Sequence, residues 1–189
     1  FDVIFSSIVI LLIYPWLIPL AALAIKISSK GPIFFRQLRS GIDNKEFYCY
    51  KFRTMRVNKL SDELQACKED PRITKIGSFM RKTNLDEFPQ FLNVLIGDMS
   101  IVGPRPHMLK HTYEYSKLVD SYMVRQLVKP GITGPAQVYG FRGETKTTAE
   151  MEGRVELDIW YIENWSFLLD IKMIMLTIWN MIRGEEKAY

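Results

Sequence analysis

Cysteine and histidine are both scarce in this sequence, with two of each among 189 residues. Cys49 and Cys67 are too few for a scaffold stapled by disulfides, and their spacing matches no metal-binding pattern. His107 and His111 lie four residues apart, but no acid occupies the position that zinc proteases require and no third ligand accompanies them. We therefore expect neither a disulfide framework nor a zinc site.

Several common functional signatures are also missing. The glycines of "GITG" and "GFRGE" do not follow a strand as in dinucleotide-binding or P-loop folds, and no Ser-His-Asp elbow is present. No basic stripe or nucleic-acid motif occurs, so we expect no nucleic-acid partner. The net charge of +4 and the pI near 9.0 give only a mild bias toward anionic partners such as phosphates or lipid headgroups.

A long apolar segment opens the chain. Residues Val3 to Ile25 carry no charge and, as one straight helix, would extend roughly 34 Å, enough to cross a bilayer. Pro15 and Pro19 interrupt this segment, since each removes a helical hydrogen bond. Two arrangements are compatible with the pattern. One is a kinked helix that spans the membrane, and the other is a bent helix that enters one leaflet and leaves by the same face. The basic residues that follow mark the cytoplasmic side.

The region after this segment predicts a β-hairpin. Two aromatic-rich runs between residues 31 and 55 flank a turn at residues 43–45. Lys51 and Arg53 are two residues apart on the second strand, so we expect both side chains on one face. Residues 60–70 are polar and predict a short exposed helix or a loop.

Helices dominate the rest of the chain. One is expected to start near Leu85 or Asp86, because Pro89 fits only a first turn. A second is expected around 107–126, and a final helical region from about Met151 to Ile182. Between them, residues 129–145 read as an irregular glycine-rich segment. The end of the final region is apolar almost all round, which is typical of a core helix or a helix embedded in the membrane interface.

The adjacent acids of "LDEFPQ" stand out within this pattern. Asp86 and Glu87 at a helix start have a simple structural explanation, since acids there cap the helix and meet its dipole. The cations predicted nearby favour a functional role instead, because arginine forks match phosphate oxygens and a carboxylate beside a diphosphate can bind Mg²⁺ or attack phosphorus. These cations are Lys51, Arg53, Arg81 and Arg105.

The order of the motifs resembles that of a known family. The family is that of the bacterial sugar transferases, also described as monotopic phosphoglycosyl transferases, and the resemblance covers the whole chain. Its closest branch is the undecaprenyl-phosphate glucose phosphotransferases, whose members often carry further spanning helices upstream. Because the chain starts at Phe1, we expect such a region to precede it. The matching stretches are "SSKGPIFFRQLRSG", "YKFRTM", "LDEFPQFLNVLIGDMSIVGPRP", "KPGITGPAQV" and "DIWYIENWSFLLDIKMI".

This resemblance implies an activity. The family transfers a sugar-1-phosphate from a UDP-sugar to undecaprenyl phosphate, releasing UMP and starting the assembly of a surface polysaccharide or glycoconjugate. It implies a two-step reaction with Mg²⁺, in which Asp86 is nucleophile and metal ligand and Glu87 its acidic partner. The residues implied to bind substrate phosphate are Arg81, Arg105, Lys51, Arg53 and Arg142.

The resemblance also implies an architecture. We expect an α+β fold, mainly helical, with a re-entrant membrane helix at 1–29 and a catalytic domain at 30–189. The domain would hold the small hairpin and amphipathic interface helices around an active site on the cytoplasmic face of the bacterial inner membrane. Membrane lipids would surround it, and a homodimer stays an open option.

Three positions depart from the family's usual pattern. Tyr14 replaces a common serine before the first proline, while Pro135 and Phe141 lie where the glucose branch favours a bulky apolar residue and tryptophan. The donor expected is UDP-glucose or a related hexose such as UDP-galactose. The alternatives are a non-catalytic membrane-anchored scaffold of a polysaccharide assembly complex, or a lipid phosphatase that uses water as acceptor.

Overall fold

The fold was analysed in a computed structural model that describes residues 1–58, 64–67, 70–141, 143, 145 and 147–183. The chain is mainly helical with small sheets, as predicted. The predicted polar helix or loop at 60–70 and the predicted site residue Arg142 lie wholly or partly outside the described residues.

The apolar segment forms one long helix, α1 (Asp2–Ser28), which continues through both prolines. At 1.5 Å per residue it extends about 40 Å, so it is long and apolar enough to cross a membrane. Tyr14, which replaces a serine common in the family, is buried. Its hydroxyl donates a hydrogen bond of 2.7 Å to the carbonyl oxygen of Phe88. This bond ties the middle of α1 to the chain just after the acid pair.

The predicted β-hairpin is confirmed. Strands β1 (Phe34–Ser40) and β2 (Glu46–Phe52) pair antiparallel, with Phe34 opposite Phe52 and Ser40 opposite Glu46. Asp43 and Asn44 adopt positive φ in the turn, a conformation that Asn and Asp tolerate better than most residues.

The start of the helix after the acid pair was predicted too early. The acids lie in a 3₁₀ turn, Leu85–Glu87, and the α-helix that follows, α3, spans Gln90–Ile96. Pro89 is the residue before its first turn rather than part of a helix that begins at the acids. Helix α2 (Lys75–Lys82) precedes the turn and is capped by the Thr74 hydroxyl, which accepts from the Gly77 amide at 3.0 Å.

The helix predicted over 107–126 is also wrong in extent. Helix α4 spans only Leu109–Tyr115, and a 3₁₀ segment, Tyr122–Gln126, follows it. Ser121 has a φ of 60°, so the right-handed helix cannot continue through it.

The glycine-rich segment contains regular structure that was not predicted. Strand β4 (Gly131–Thr133) pairs in parallel with β3 (Ser100–Val102), and a short helix, α5 (Pro135–Val138), follows. A Cβ on Gly131 would lie 2.1 Å from the Gly103 amide nitrogen, so the two backbones can approach only with glycine here.

The predicted final helical region consists of two helices. Helix α6 spans Thr148–Glu163 and α7 spans Phe167–Arg183. The hydroxyl of Ser166 accepts from the Leu169 amide at 3.2 Å, as a residue that begins a helix does.

Three apolar clusters hold these elements together. One joins the hairpin, α3, β3, α6 and α7, with Met173 fully buried; a second joins α1 and α2 to Phe52; a third packs α6 on Tyr122. In contrast, α1 and α7 each expose a long apolar face, and this combined surface suits contact with lipid. Its members on α1 include Ile4, Leu11, Leu12, Trp16, Leu20 and Ile27, and on α7 Leu168, Met175, Ile178, Trp179 and Ile182.

Candidate active site

A cavity of about 330 Å³ opens between the hairpin, α2, the 3₁₀ turn at 85–87 and the loop at 103–108. We call it the cationic cavity, because seven arginines and one lysine line it against two carboxylates among the described residues. Such an excess of positive charge favours a multiply charged anion such as a diphosphate. The charged lining residues are Arg39, Lys51, Arg53, Arg56, Arg72, Arg81, Asp86, Glu87, Arg105 and Arg154.

The tertiary structure thus brings together every predicted site residue that it describes. They come from three separated parts of the chain: the end of the hairpin, the stretch from 81 to 87, and the loop that holds Arg105. Arg142, which the resemblance also implied, lies outside the described residues.

Local backbone geometry presents the two acids. Asn84 adopts a left-handed conformation, with φ of 55°, and the amide of Glu87 donates to the Asn84 carbonyl oxygen at 3.1 Å. Asp86 and Glu87 are both buried, each 7% exposed. They precede α3 by a turn, and α3 has only seven residues, so the helix dipole acts on them more weakly than the sequence predicted.

Glu87 is paired with two cations. Lys51 Nζ lies 2.6 Å from Glu87 Oε1, while Arg105 Nη2 lies 2.8 Å from the same oxygen and Arg105 Nη1 lies 3.4 Å from Oε2. The charge of Glu87 raises the pKa of the Arg105 guanidinium, against the lowering effect of burial. Two cations paired with the Glu87 carboxylate leave one excess positive charge beside Asp86.

Asp86 lines the same cavity. Its charge also raises the pKa of Arg105, although less than the charge of Glu87 does. Glu87 fixes the positions of Lys51 and Arg105, while the carboxylate of Asp86 lines the cavity beside them.

Neighbouring residues orient the side chain of Arg81. It lies in the last turn of α2, and its Nε donates to the Thr54 hydroxyl at 2.9 Å. A Cβ on Gly77 would lie 1.9 Å from the Thr54 carbonyl oxygen, so only glycine allows α2 to approach residue 54 this closely. This close approach keeps Arg81 within hydrogen-bond distance of Thr54.

Arg53 links the cavity to the apolar helix. Its Nη1 donates to the Lys30 carbonyl oxygen at 2.7 Å and its Nη2 to that of Ser29 at 2.8 Å, just past the end of α1. Burial lowers the pKa of this guanidinium. Arg53 therefore both lines the cavity and anchors the end of α1, and its role as a substrate ligand stays a prediction.

A buried network that the sequence analysis missed supports the loop of Arg105. Arg125 Nη2 donates to the Arg105 carbonyl oxygen at 2.8 Å and lies 2.7 Å from Asp158 Oδ2, and Asp158 is fully buried. Burial raises the pKa of Asp158, whereas the positive charges of Arg125 and Arg154 act to lower it. Burial also lowers the pKa of His107, aided by the same arginines, so His107 is held neutral between them. The spacing of Arg154 and Asp158 at i and i+4 was the one available signal that they share a face of α6.

The model of the bacterial sugar transferase family matches residues 1–184. The chain belongs to the bacterial sugar transferases. Relatives support this membership. A UDP-glucose:undecaprenyl-phosphate glucose-1-phosphate transferase from Klebsiella pneumoniae is 52% identical over 95% of the chain, and one from Xanthomonas campestris pv. campestris is 49% identical over 100% of it. An exopolysaccharide production protein from Rhizobium leguminosarum bv. phaseoli is 43% identical over 98%.

These relatives differ in length. This sugar transferase chain spans 38% of the Klebsiella protein and 39% of the Xanthomonas protein, but 95% of the Rhizobium protein. The family resemblance stated from the motifs is confirmed by the family match over residues 1–184 and by the Xanthomonas relative, which aligns with 100% of this chain.

Proposed function

We propose that this chain transfers glucose 1-phosphate, or a closely related hexose 1-phosphate, from a UDP-sugar to undecaprenyl phosphate and releases UMP. The observation that carries the proposal is the acid pair in the cationic cavity, with Glu87 held by Lys51 and Arg105. The substrates named for the Klebsiella and Xanthomonas relatives support the choice of donor and acceptor. The reaction would start the assembly of a surface polysaccharide or glycoconjugate.

The proposed reaction has two steps. A carboxylate oxygen of Asp86 attacks the β-phosphorus of the UDP-sugar, and the bond from that phosphorus to the bridging oxygen breaks as UMP leaves. An oxygen of undecaprenyl phosphate then attacks the same phosphorus, and the Asp86 carboxylate departs. Splitting the transfer avoids bringing two bulky anionic substrates to one phosphorus at the same moment.

The cations have distinct proposed roles in these steps. Arg81 and Arg105 hold oxygens of the transferred phosphoryl group, where negative charge accumulates. Lys51 and Arg53 add positive charge on the hairpin side of the cavity. Arg142 remains a proposed phosphate ligand on the resemblance alone. Glu87 orients Lys51 and Arg105 and so keeps both near the phosphates.

Magnesium fits the donors of this site. No group of three or more His, Cys, Asp or Glu side chains gathers among the described residues, so a cage made only of protein ligands is not available there. Mg²⁺ commonly takes one or two carboxylates together with substrate phosphates and water. Asp86 would supply the protein oxygen, and the ion would reduce the repulsion between this carboxylate and the diphosphate.

Helix α1 is proposed to be re-entrant at the cytoplasmic face of the inner membrane. Its two ends support this topology because both contact the same domain. The Phe1 ring lies 5.2 Å from the ring of Phe167 on α7, and the carbonyl oxygens of Ser29 and Lys30 accept from Arg53. A domain with a charged cavity does not enter the bilayer core, so both ends lie on one side of the membrane.

Cysteine labelling tests this topology. In a background of Cys49→Ala and Cys67→Ser, Phe1→Cys and Lys30→Cys should both resist a membrane-impermeant maleimide applied outside intact cells, and both should react after permeabilisation. Replacing Pro15 and Pro19 by leucine should shift α1 toward a spanning helix. Labelling of one end alone in intact cells of the unmodified helix would show that α1 spans the membrane.

An assay of UMP release tests the activity. The chain in lipid nanodiscs, with Mg²⁺, should release UMP from UDP-glucose or UDP-galactose over many turnovers only when undecaprenyl phosphate is present. Without this acceptor, UMP release should stop at about one equivalent per chain, because the first step leaves the sugar phosphate on Asp86. Preference for a 2-acetamido sugar would overturn the hexose assignment. Free sugar phosphate formed without the prenyl acceptor would indicate a phosphatase, and a folded chain inactive with the whole panel would favour a scaffold.

A further inference from the structure

A second cavity, of about 230 Å³, also reaches Glu87. Glu87 is the one charged residue among the described residues that line it, so its character is opposite to that of the cationic cavity. We call it the apolar cavity. Its apolar lining residues are Phe5, Phe88, Phe91, Ile101, Ile132, Val138, Ile174, Ile178 and Met181.

Polar groups in this lining are largely turned toward the protein. The hydroxyls of Thr133 and Thr177 lie 2.6 Å apart, and the side-chain amide nitrogens of Gln137 and Asn180 donate to backbone carbonyl oxygens at 2.8 and 3.0 Å. These bonds leave mainly hydrocarbon facing the space. A hydrocarbon ligand therefore loses little by leaving lipid for this cavity.

The walls of the apolar cavity continue into the surface that suits lipid. Phe5 comes from α1 and Ile178 from α7, the two helices with long exposed apolar faces. Ile178 lines the cavity and is also 48% exposed, so the cavity borders that outer surface. A molecule dissolved in the membrane can reach Glu87 from this direction without crossing the cationic cavity.

We propose that the apolar cavity binds the isoprenoid segment next to the phosphate of the prenyl phosphate acceptor. This inference rests on the proposed transferase function. An acceptor with an anionic head and a hydrocarbon tail needs both environments close together, and Glu87, with Lys51 and Arg105 bound to it, lines both cavities. The phosphate stays beside these cations, the first isoprene units occupy the apolar cavity, and the remaining chain stays in lipid.

A matched pair of variants on α7 tests the proposal. Ile174→Trp fills the apolar cavity, whereas Met175→Trp makes the same kind of change at a residue that is 61% exposed and outside the cavity lining. In nanodiscs, Ile174→Trp should raise the KM for undecaprenyl phosphate by about tenfold or more while the KM for UDP-glucose stays constant. Met175→Trp should leave both values unchanged. Equal acceptor KM values for both variants and the wild type would overturn the inference.

Photo-crosslinking of the wild-type chain gives a readout independent of turnover and of variant folding. A prenyl phosphate with a diazirine on its first isoprene unit should label the peptides of Ile132 and Ile174, and excess undecaprenyl phosphate should abolish the label. Label confined to the outer face of α7, or equal competition by a phosphatidylglycerol lipid, would contradict the proposal. Competed labelling of the cavity in a chain that transfers no sugar phosphate would instead refute the proposed function and retain a prenyl phosphate site.

Discussion

Asp86→Asn should abolish the transfer of sugar phosphate while leaving the fold intact. The amide keeps the shape of the side chain but removes the anionic nucleophile and the proposed Mg²⁺ ligand. Glu87 keeps its bonds to Lys51 and Arg105, so the cationic cavity should retain its geometry. The measurement is UMP release with UDP-glucose and undecaprenyl phosphate in nanodiscs, with circular dichroism as a check on folding.

Loss of turnover alone does not separate a nucleophile from a metal ligand. The wild-type chain should therefore be incubated with UDP-glucose labelled in the sugar, with Mg²⁺ and without prenyl phosphate. Label should remain on the denatured protein, map to Asp86, and disappear in the variant and in the absence of metal. If no adduct forms and kinetics require both substrates to bind before UMP leaves, transfer is direct and Asp86 has another role.

Arg105→Lys should lower the turnover rate by a factor on the order of 10² or more. Lysine keeps the charge but loses the planar fork that reaches both oxygens of Glu87, at 2.8 and 3.4 Å, and that can bind two phosphate oxygens together. The steady-state rate at saturating substrates is the measurement, because the lost contacts should act mainly on the transition state.

Arg36→Lys is the matched control for this substitution. Arg36 is exposed, lies over the Tyr48 ring at 5.0 Å, and does not line the cationic cavity. The same chemical change there should leave the rate within about twofold of wild type. Comparable losses for both variants, or full activity of Arg105→Lys, would contradict the role of Arg105 as a phosphate ligand.

Local sequence pattern predicted the elements that depend on local interactions. The hairpin followed from aromatic runs around a turn where Asp43 and Asn44 tolerate positive φ, and the apolar helix from a long segment without charge. The pattern failed where one residue ends a helix, as at Ser121, because helical propensity carries no sign of a left-handed backbone imposed by packing.

Parts of the candidate site were visible in the same way. The acid pair and the arginine between two prolines were conspicuous along the chain, and the family resemblance linked them to phosphate transfer. The buried residues that hold the loop of Arg105 in place could not be identified from the sequence. Arg125 lies 33 residues from Asp158, and only the packing of α6 against the 122–126 segment brings the two together behind Arg105.

The sequence by itself determined the family and the apolar helix, and it indicated the charged residues of the candidate site, because these depend on which residues occur and in what order. Only the tertiary structure decided that Glu87 is bound by Lys51 and Arg105 and lines a second, apolar cavity. The physical reason is that ion pairs and cavities depend on distances between atoms remote in the chain. Those distances follow from the packing of α1, α3 and α7 as a whole, which no local pattern encodes.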